Sequence, residues 1–174
     1  MSKDWQLKLK WNIKLFRFIN NKRSKFLDKF YKKFFLLGKS YSLILFLPIF
    51  YYFGKLNAIY QLIIALLITG IVMPTLKYIF RHKRPVSLLE DVYLLEPVSL
   101  KSFPSADTAY AFTLFSVSLF FFPLWAVFIM FIYALLIAFG RIYMGAHFPI
   151  DVVVGAFIGF ISGIISHLIF LYMM

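Results

Sequence analysis

Long uncharged runs alternate with short charged ones along this chain, and the runs have the length that a lipid bilayer selects. After a charged opening, apolar stretches cover residues 41–53, 58–80, 105–122, 124–140 and 152–173. The later four come close to the run of about 20 apolar residues that crosses a hydrocarbon core as a helix. The first, Tyr41–Phe53, is short, but Lys39 and Lys55 bracket it with side chains that snorkel, and its tyrosines suit the interface. Pro74 predicts a kink near the end of the second, and Pro104 and Pro123 open the breaks before the third and fourth. The expected fold is all-α: an integral membrane bundle of about five transmembrane helices.

Ahead of the spans, residues 5–20 (WQLKLKWNIKLFRFIN) and 24–37, closed by Gly38, set Lys and Arg among aromatics and Leu at roughly helical spacing. This pattern predicts amphipathic helices lying in the membrane interface. The chain therefore reads as a single membrane-embedded domain over 1–174, with a basic interfacial segment at 1–40 and the transmembrane bundle at 41–174. With five spans, the N-terminal segment, the polar connection at 81–104 and the turn from Arg141 to His147 emerge on one membrane face. The C-terminus emerges on the other.

Composition supports this picture. The 174 residues are 62% hydrophobic and 21% aromatic, with mean hydropathy +0.83, which excludes a soluble domain. The net charge of +12 does not indicate a nucleic-acid binder, because twelve of the nineteen Lys and Arg residues fall in the first forty positions among aromatics. That arrangement suits a bilayer with anionic lipids as partner, and no nucleic acid. The absence of cysteine removes disulfides, thiolate chemistry and cysteine-based zinc sites. No histidine–carboxylate cluster is large enough to complete a coordination shell, so neither metal nor cofactor is expected. Charges interrupt every candidate apolar core before Ser40, so no cleavable signal peptide is expected.

The candidate chemistry lies where charge is rarest. From Ser102 to Met174 the only formally charged residues are Asp107, Arg141 and Asp151, and the last two flank His147. Intramembrane ionisable groups are costly to keep and mark function by default. Lys77 and Arg84 are seven apart, so on a continuing helix they share a face. Ser105 is placed as N-cap of the third span, where the free N–H groups of Ala106 and Asp107 and the positive helix end form a phosphate cradle. In "GRIYMGAHFPID", Pro149 suits a first helical position, so Asp151 can hold one imidazole nitrogen of His147 while the other attacks phosphorus. Lys77, Arg84 and Arg141 then neutralise the phosphate oxygens. The remaining histidines read as structural, His82 on the surface of the connection and His167 hydrogen-bonded within the bundle. Tyr143 reads as packing.

These residues resemble the type 2 phosphatidic acid phosphatase superfamily, integral lipid phosphatases related to vanadium haloperoxidases. That family has K-x6-R-P, then P-S-G-H, then S-R-x5-H-x3-D. Lys77, Arg84 and Pro85 match the first motif, and Arg141, His147 and Asp151 match the third, with Gly140 where Ser is usual. The resemblance implies a metal-independent hydrolase acting through a phosphohistidine on His147, with Lys77, Arg84, Ser105 and Arg141 binding phosphate. The chain departs from it at "PSAD", where Ala106 replaces Gly and Asp107 replaces the histidine that protonates the leaving oxygen. Asp107 can serve as general acid if it is protonated, and a good leaving group needs no strong acid. The expected substrate is a lipid phosphate or pyrophosphate: lipid A 1-phosphate first, then undecaprenyl pyrophosphate or phosphatidylglycerophosphate. The alternatives are a lipid phosphotransferase and a catalytically inactive lipid-binding or transport protein. The expected location is the bacterial inner membrane with the site facing the periplasm.

Overall fold

The computed structural model describes residues 5–99 and 101–173, and the regular structure within them is entirely helical. Residues 1–4 and Met174, the two ends of the expected domain, lie outside the described residues. The helices are α1 (Trp5–Lys8), α2 (Lys10–Asn20), α3 (Lys25–Phe34), α4 (Leu47–Phe80), α5 (Ala106–Ser118), α6 (Leu124–Tyr143) and α7 (Pro149–Met173). Short 3₁₀ segments cover Phe35–Gly38, Ser40–Phe46 and Pro85–Ser87. Three helical stretches, Ser40–Ser87, Leu124–Tyr143 and Pro149–Met173, are long and apolar enough to cross a membrane.

The first of these stretches is not one rod. Lys55 has non-helical dihedrals (φ 53°, ψ −146°), which separates the expected first span from the second. The expected first span begins as a 3₁₀ helix, which lengthens it. At about 2.0 Å rise per residue in the 3₁₀ part and 1.5 Å in the α part, residues 40–54 extend about 26 Å, close to the hydrocarbon thickness. Pro74 lies inside α4 with helical dihedrals, and the non-helical residue in that stretch, Lys55, falls between the two expected spans.

The centre of the bundle is the contact of α5 with α7. Gly155, Gly159 and Gly163 stand four apart, hence on one face of α7. A Cβ on Gly155 would lie 2.4 Å from the Ser105 carbonyl oxygen, and one on Gly159 would lie 2.0 Å from that of Ala109. At Gly163 it would meet the Ser116 hydroxyl at 2.3 Å. Small residues let membrane helices bring their backbones together, where packing rather than the hydrophobic effect drives association. Hydroxyls then bridge the helices: Ser116 Oγ donates to the Phe160 carbonyl at 2.8 Å, and the Thr69 and Thr113 hydroxyls pair at 2.8 Å between α4 and α5.

Phe50, Leu62, Leu114, Val117 and Met130 fill the core on one side, and Tyr31, Phe35, Ala134 and Ile137 fill it beneath the polar end. Phe128 and Ile129 on α6 and Phe157 and Leu168 on α7 point outward, as side chains facing lipid do. His167 behaves as the sequence indicated, with Nδ1 3.0 Å from Gln61 Oε1 and its ring stacked on Phe120.

The glycine contact makes a direct prediction. Gly159→Ala must push the α5 backbone away and should cost about 1–3 kcal/mol. Gly70→Ala should be neutral or slightly stabilising, because its Cβ would lie 3.6 Å from the Tyr110 hydroxyl, an ordinary contact, and Ala is the better helix former. Thermal unfolding of the two variants in one detergent compares them.

Candidate active site

The polar residues of four segments meet at one end of the bundle. Helix α4 contributes Lys77, the connection contributes Arg84, Glu96, Ser99 and Ser102, and the start of α5 contributes Ser105, Ala106 and Asp107. The end of α6 and the turn into α7 contribute Arg141, His147 and Asp151. Lys77 and Arg84 do not converge by helical register. Helix α4 stops at Phe80 because Arg81 turns left-handed (φ 49°, ψ 33°), its N–H donating to the Lys77 carbonyl at 3.2 Å. Arg84 therefore reaches the site from extended backbone just ahead of the 3₁₀ turn. Lys77 still lies close enough to Arg84, Asp107, Arg141 and Asp151 to feel their charges.

His147 is buried and held on both ring nitrogens. Nε2 lies 3.1 Å from Arg84 Nη1. A guanidinium has only donors, so Nε2 presents a lone pair and the proton sits on Nδ1. Nδ1 faces Asp151 Oδ2 at 3.4 Å and the Ser102 hydroxyl at 3.3 Å. Burial first, and then the charges of Arg141, Arg84 and Lys77, hold the imidazole well below the usual histidine value. The neutral ring, the form able to attack, therefore persists through mildly acidic pH and is lost only as the pH falls through that lowered value.

Asp151 is fully buried and well satisfied. Oδ1 accepts from the Gln6 amide, and Oδ2 accepts from the Ser102 hydroxyl and from the Phe148 N–H at 3.1 Å, besides facing His147. The Asp151 carbonyl accepts from the Ser105 N–H at 3.0 Å, which ties the start of α5 to the first turn of α7. Ser105 is the N-cap, but its hydroxyl pairs with that of Thr108 at 2.9 Å instead of capping the helix. The first-turn N–H groups of α5, Ala106 and Asp107 among them, have no intrahelical acceptor.

Arg84 is buried, donating from Nη1 to the Ala146 carbonyl at 2.7 Å, from Nη2 to the Ser99 hydroxyl at 3.2 Å, and from Nε to the Ser99 carbonyl. Arg141 lies over the Phe35 ring and pairs with two carboxylates, Glu96 through Nη1 and Asp107 through Nη2 at 3.3 Å. The pairing accounts for an acidic residue in a cationic site. Gly140, where the family pattern has serine, admits the Tyr31 ring, for a Cβ there would lie 2.6 Å from it.

Several residues here were not singled out from the sequence. Gln6, Ser99, Ser102 and Glu96 sit in segments read as an interfacial helix and a basic connection. The inner face of that helix region carried a signal: Asn12, Phe16 and Asn20 recur every four residues and are all buried, so two asparagines lie on the packed stripe. The Asn12 side chain accepts from the Ile150 N–H at 3.0 Å, and Asn20 donates to the Tyr93 and Tyr143 carbonyls at 2.9 Å each. His82 is buried, not on the surface: the Trp5 indole donates to its ring, Phe80 and Phe103 pack on it, and its carbonyl accepts from Ser102 N–H at 2.8 Å. Among the described residues, no group of three or more histidine and acidic side chains is placed to hold a metal ion.

The pattern of the PAP2 superfamily matches residues 58–174. An undecaprenyl-diphosphatase of Sulfolobus acidocaldarius is 28% identical over 158 residues, 86% of this chain and 73% of that protein. The crystal structure of Aquifex aeolicus LpxE superposes with a TM-score of 0.87 and 44% identity, covering 95% of this chain and 98% of that one. The first transmembrane PAP2 type phosphatidylglycerolphosphate phosphatase from Bacillus subtilis superposes with a TM-score of 0.72 at 21% identity, over 92% of this chain and 85% of that one, a likeness of fold.

The Asp151 contacts make the second prediction. Gln6→Leu and Ser102→Ala each strip a donor from a buried carboxylate, which is worth about 1–3 kcal/mol. Each should lower kcat by roughly 5- to 100-fold with KM little changed, because neither side chain hydrogen-bonds Lys77, Arg84 or Arg141. Steady-state kinetics of the two variants measures it.

Proposed function

The chain belongs to the PAP2 superfamily and is an integral membrane lipid phosphatase, and on that premise we propose that His147 is its nucleophile and that Lys77, Arg84, Ser105, Ala106 and Arg141 hold the phosphate. The observation that carries this reading is at His147: its unprotonated Nε2 lies 3.1 Å from the Arg84 guanidinium, while Nδ1 is turned to Asp151. The attacking atom thus borders the cation that would hold the group attacked.

In this reading the Nε2 lone pair attacks phosphorus, and the phosphorus–oxygen bond to the lipid breaks with its electrons going to the leaving oxygen. The phosphorylated ring is cationic, and Asp151 stabilises it through the retained Nδ1–H. Water then attacks phosphorus, the phosphorus–nitrogen bond breaks, and the electron pair returns to Nε2 as phosphate departs. Asp107, in the position of the family's second histidine, is the proposed relay: its protonated form gives its proton to the leaving oxygen, and the carboxylate so formed takes one from the attacking water. Donors aimed at the non-bridging oxygens supply most of the rate in such transfers. No metal or cofactor takes part in this scheme.

The substrate proposed first is lipid A 1-phosphate. A relay through an ion-paired carboxylate suits leaving groups that need little protonation, and an anomeric sugar phosphate is one. Near-complete overlap with Aquifex aeolicus LpxE supports placing the chain among the small members of the family. Undecaprenyl pyrophosphate is the second reading, favoured by the name of the Sulfolobus relative. Phosphatidylglycerophosphate completes the set. The lysines Lys25, Lys29, Lys32 and Lys33 interleave with Phe26, Phe30 and Phe34 around shallow surface grooves, a surface suited to anionic lipid rather than nucleic acid. We place the site on the periplasmic side of a bacterial inner membrane.

Purified protein in detergent should release phosphate from lipid A most rapidly among lipid A, undecaprenyl pyrophosphate, phosphatidylglycerophosphate and phosphatidate. Product analysis by mass spectrometry distinguishes hydrolysis from transfer to a second lipid. Activity should survive EDTA and be inhibited by orthovanadate, and His147→Ala should abolish turnover while substrate still binds. Turnover retained by that variant removes His147 from its role.

Asp107→Asn tests the relay. It should lower kcat/KM far more for phosphatidate, whose alkoxide leaves poorly, than for undecaprenyl pyrophosphate. A small loss equal for both substrates leaves Asp107 only at the helix start, where Asn serves as well.

A further inference from the structure

Arg141 is more heavily compensated than a phosphate-binding arginine requires. Its guanidinium is 3% exposed, stacked on Phe35 at 4.2 Å, and both terminal nitrogens are engaged by carboxylates. Its Nε–H is buried without a partner. A phosphate arriving at the terminal nitrogens meets two anions already there, and one must leave.

The two are not equally free to go. Asp107 is fixed on the first turn of α5. Glu96 belongs to the connection at 88–99, which has no regular helix or strand. Its second oxygen already accepts from Lys39 Nζ at 2.9 Å. Lys39 in turn sits over the same Phe35 ring at 4.6 Å, so Glu96 has a second cation beside the first. The backbone next to it is pinned to the site turn by the Leu95 N–H bond to the Met144 carbonyl at 3.1 Å. The glutamate can thus shift from Arg141 towards Lys39 while its segment stays docked.

We propose that Glu96 is a displaceable internal counter-ion of the phosphate site: it occupies Arg141 in the empty enzyme, yields to the substrate phosphate by moving onto Lys39, and returns to help expel product phosphate. This rests on the phosphate site described above. An internal competitor lowers affinity for every anion that needs Arg141, so the enzyme keeps Arg141 neutralised when empty and does not retain its own product. The cost of removing Glu96 from Arg141 is subtracted from each binding event. A residue that merely positioned Arg141 would act in the opposite direction, because its loss would weaken phosphate binding.

The opposite signs make the test decisive. In the enzyme, Glu96→Gln should lower the competitive inhibition constant of inorganic phosphate about tenfold, because the incoming phosphate no longer has to displace a carboxylate from Arg141. KM should fall with it, and kcat should fall where phosphate release limits turnover. The effect should vanish when Glu96→Gln is added to Arg141→Gln, whose phosphate binding is weak with or without Glu96. Unchanged or weaker phosphate inhibition in Glu96→Gln overturns the proposal, and so does tightening that persists in the Arg141→Gln background. Failure of phosphate to inhibit wild-type enzyme competitively would instead sink the phosphate site itself.

Discussion

The backbone of α5 rests directly on that of α7, and the active end of the molecule depends on that contact. Three glycines on one face of α7 remove the side chains that would hold the helices apart. At the top of the stripe, Gly155 meets the Ser105 carbonyl, and the Ser105 N–H bonds the Asp151 carbonyl at 3.0 Å. The positive start of α5 is thereby set beside the first turn of α7, with His147 just ahead of that turn. A separation larger by one methyl group would part the start of α5 from His147.

Around that contact the site is a network of buried charge in which nearly every group has a partner. The Asp151 carboxylate is contacted by four donor groups from three parts of the chain, Gln6, Ser102 and the turn residues His147 and Phe148. A buried carboxylate left short of donors is costly, so the N-terminal segment does more than lie on a bilayer. It closes the site from outside, with Trp5 on His82, Asn12 on Ile150 and Asn20 on Tyr93 and Tyr143. The cations are arranged differently. Arg84 is held by backbone carbonyls, whereas Arg141 is held by two carboxylates.

The replacement of the family's histidine by Asp107 also gains a physical setting. A carboxylate cannot simply be placed in a phosphate site, because the two anions repel. Here Arg141 stands beside it at 3.3 Å. The same arginine lies over the Phe35 ring, and Gly140 next to it leaves room for Tyr31, which packs in the same aromatic layer as Phe35. One departure from the family pattern thus sits beside the other.

Much of this was legible along the chain because its signals are local. Apolar runs of bilayer length specify membrane helices wherever they occur, and counting them gives the expectation that Arg84, Ser105 and His147 share one face without any knowledge of packing. The spacing of Arg141, His147 and Asp151 carries its chemistry because a helix start fixes i and i+4 together. The tertiary structure decided what depends on distance between segments. Helical register did not bring Lys77 to Arg84, because one left-handed residue at Arg81 ended the helix. His82 is buried because Trp5, far away in sequence, covers it. Gln6, Ser102 and Glu96 acquire roles only through partners more than forty residues away, and a single polar residue in a basic or irregular stretch carries no period to reveal it. Sequence specifies which faces are apolar and which side chains can react; only packing specifies which polar groups share a buried volume and must satisfy one another.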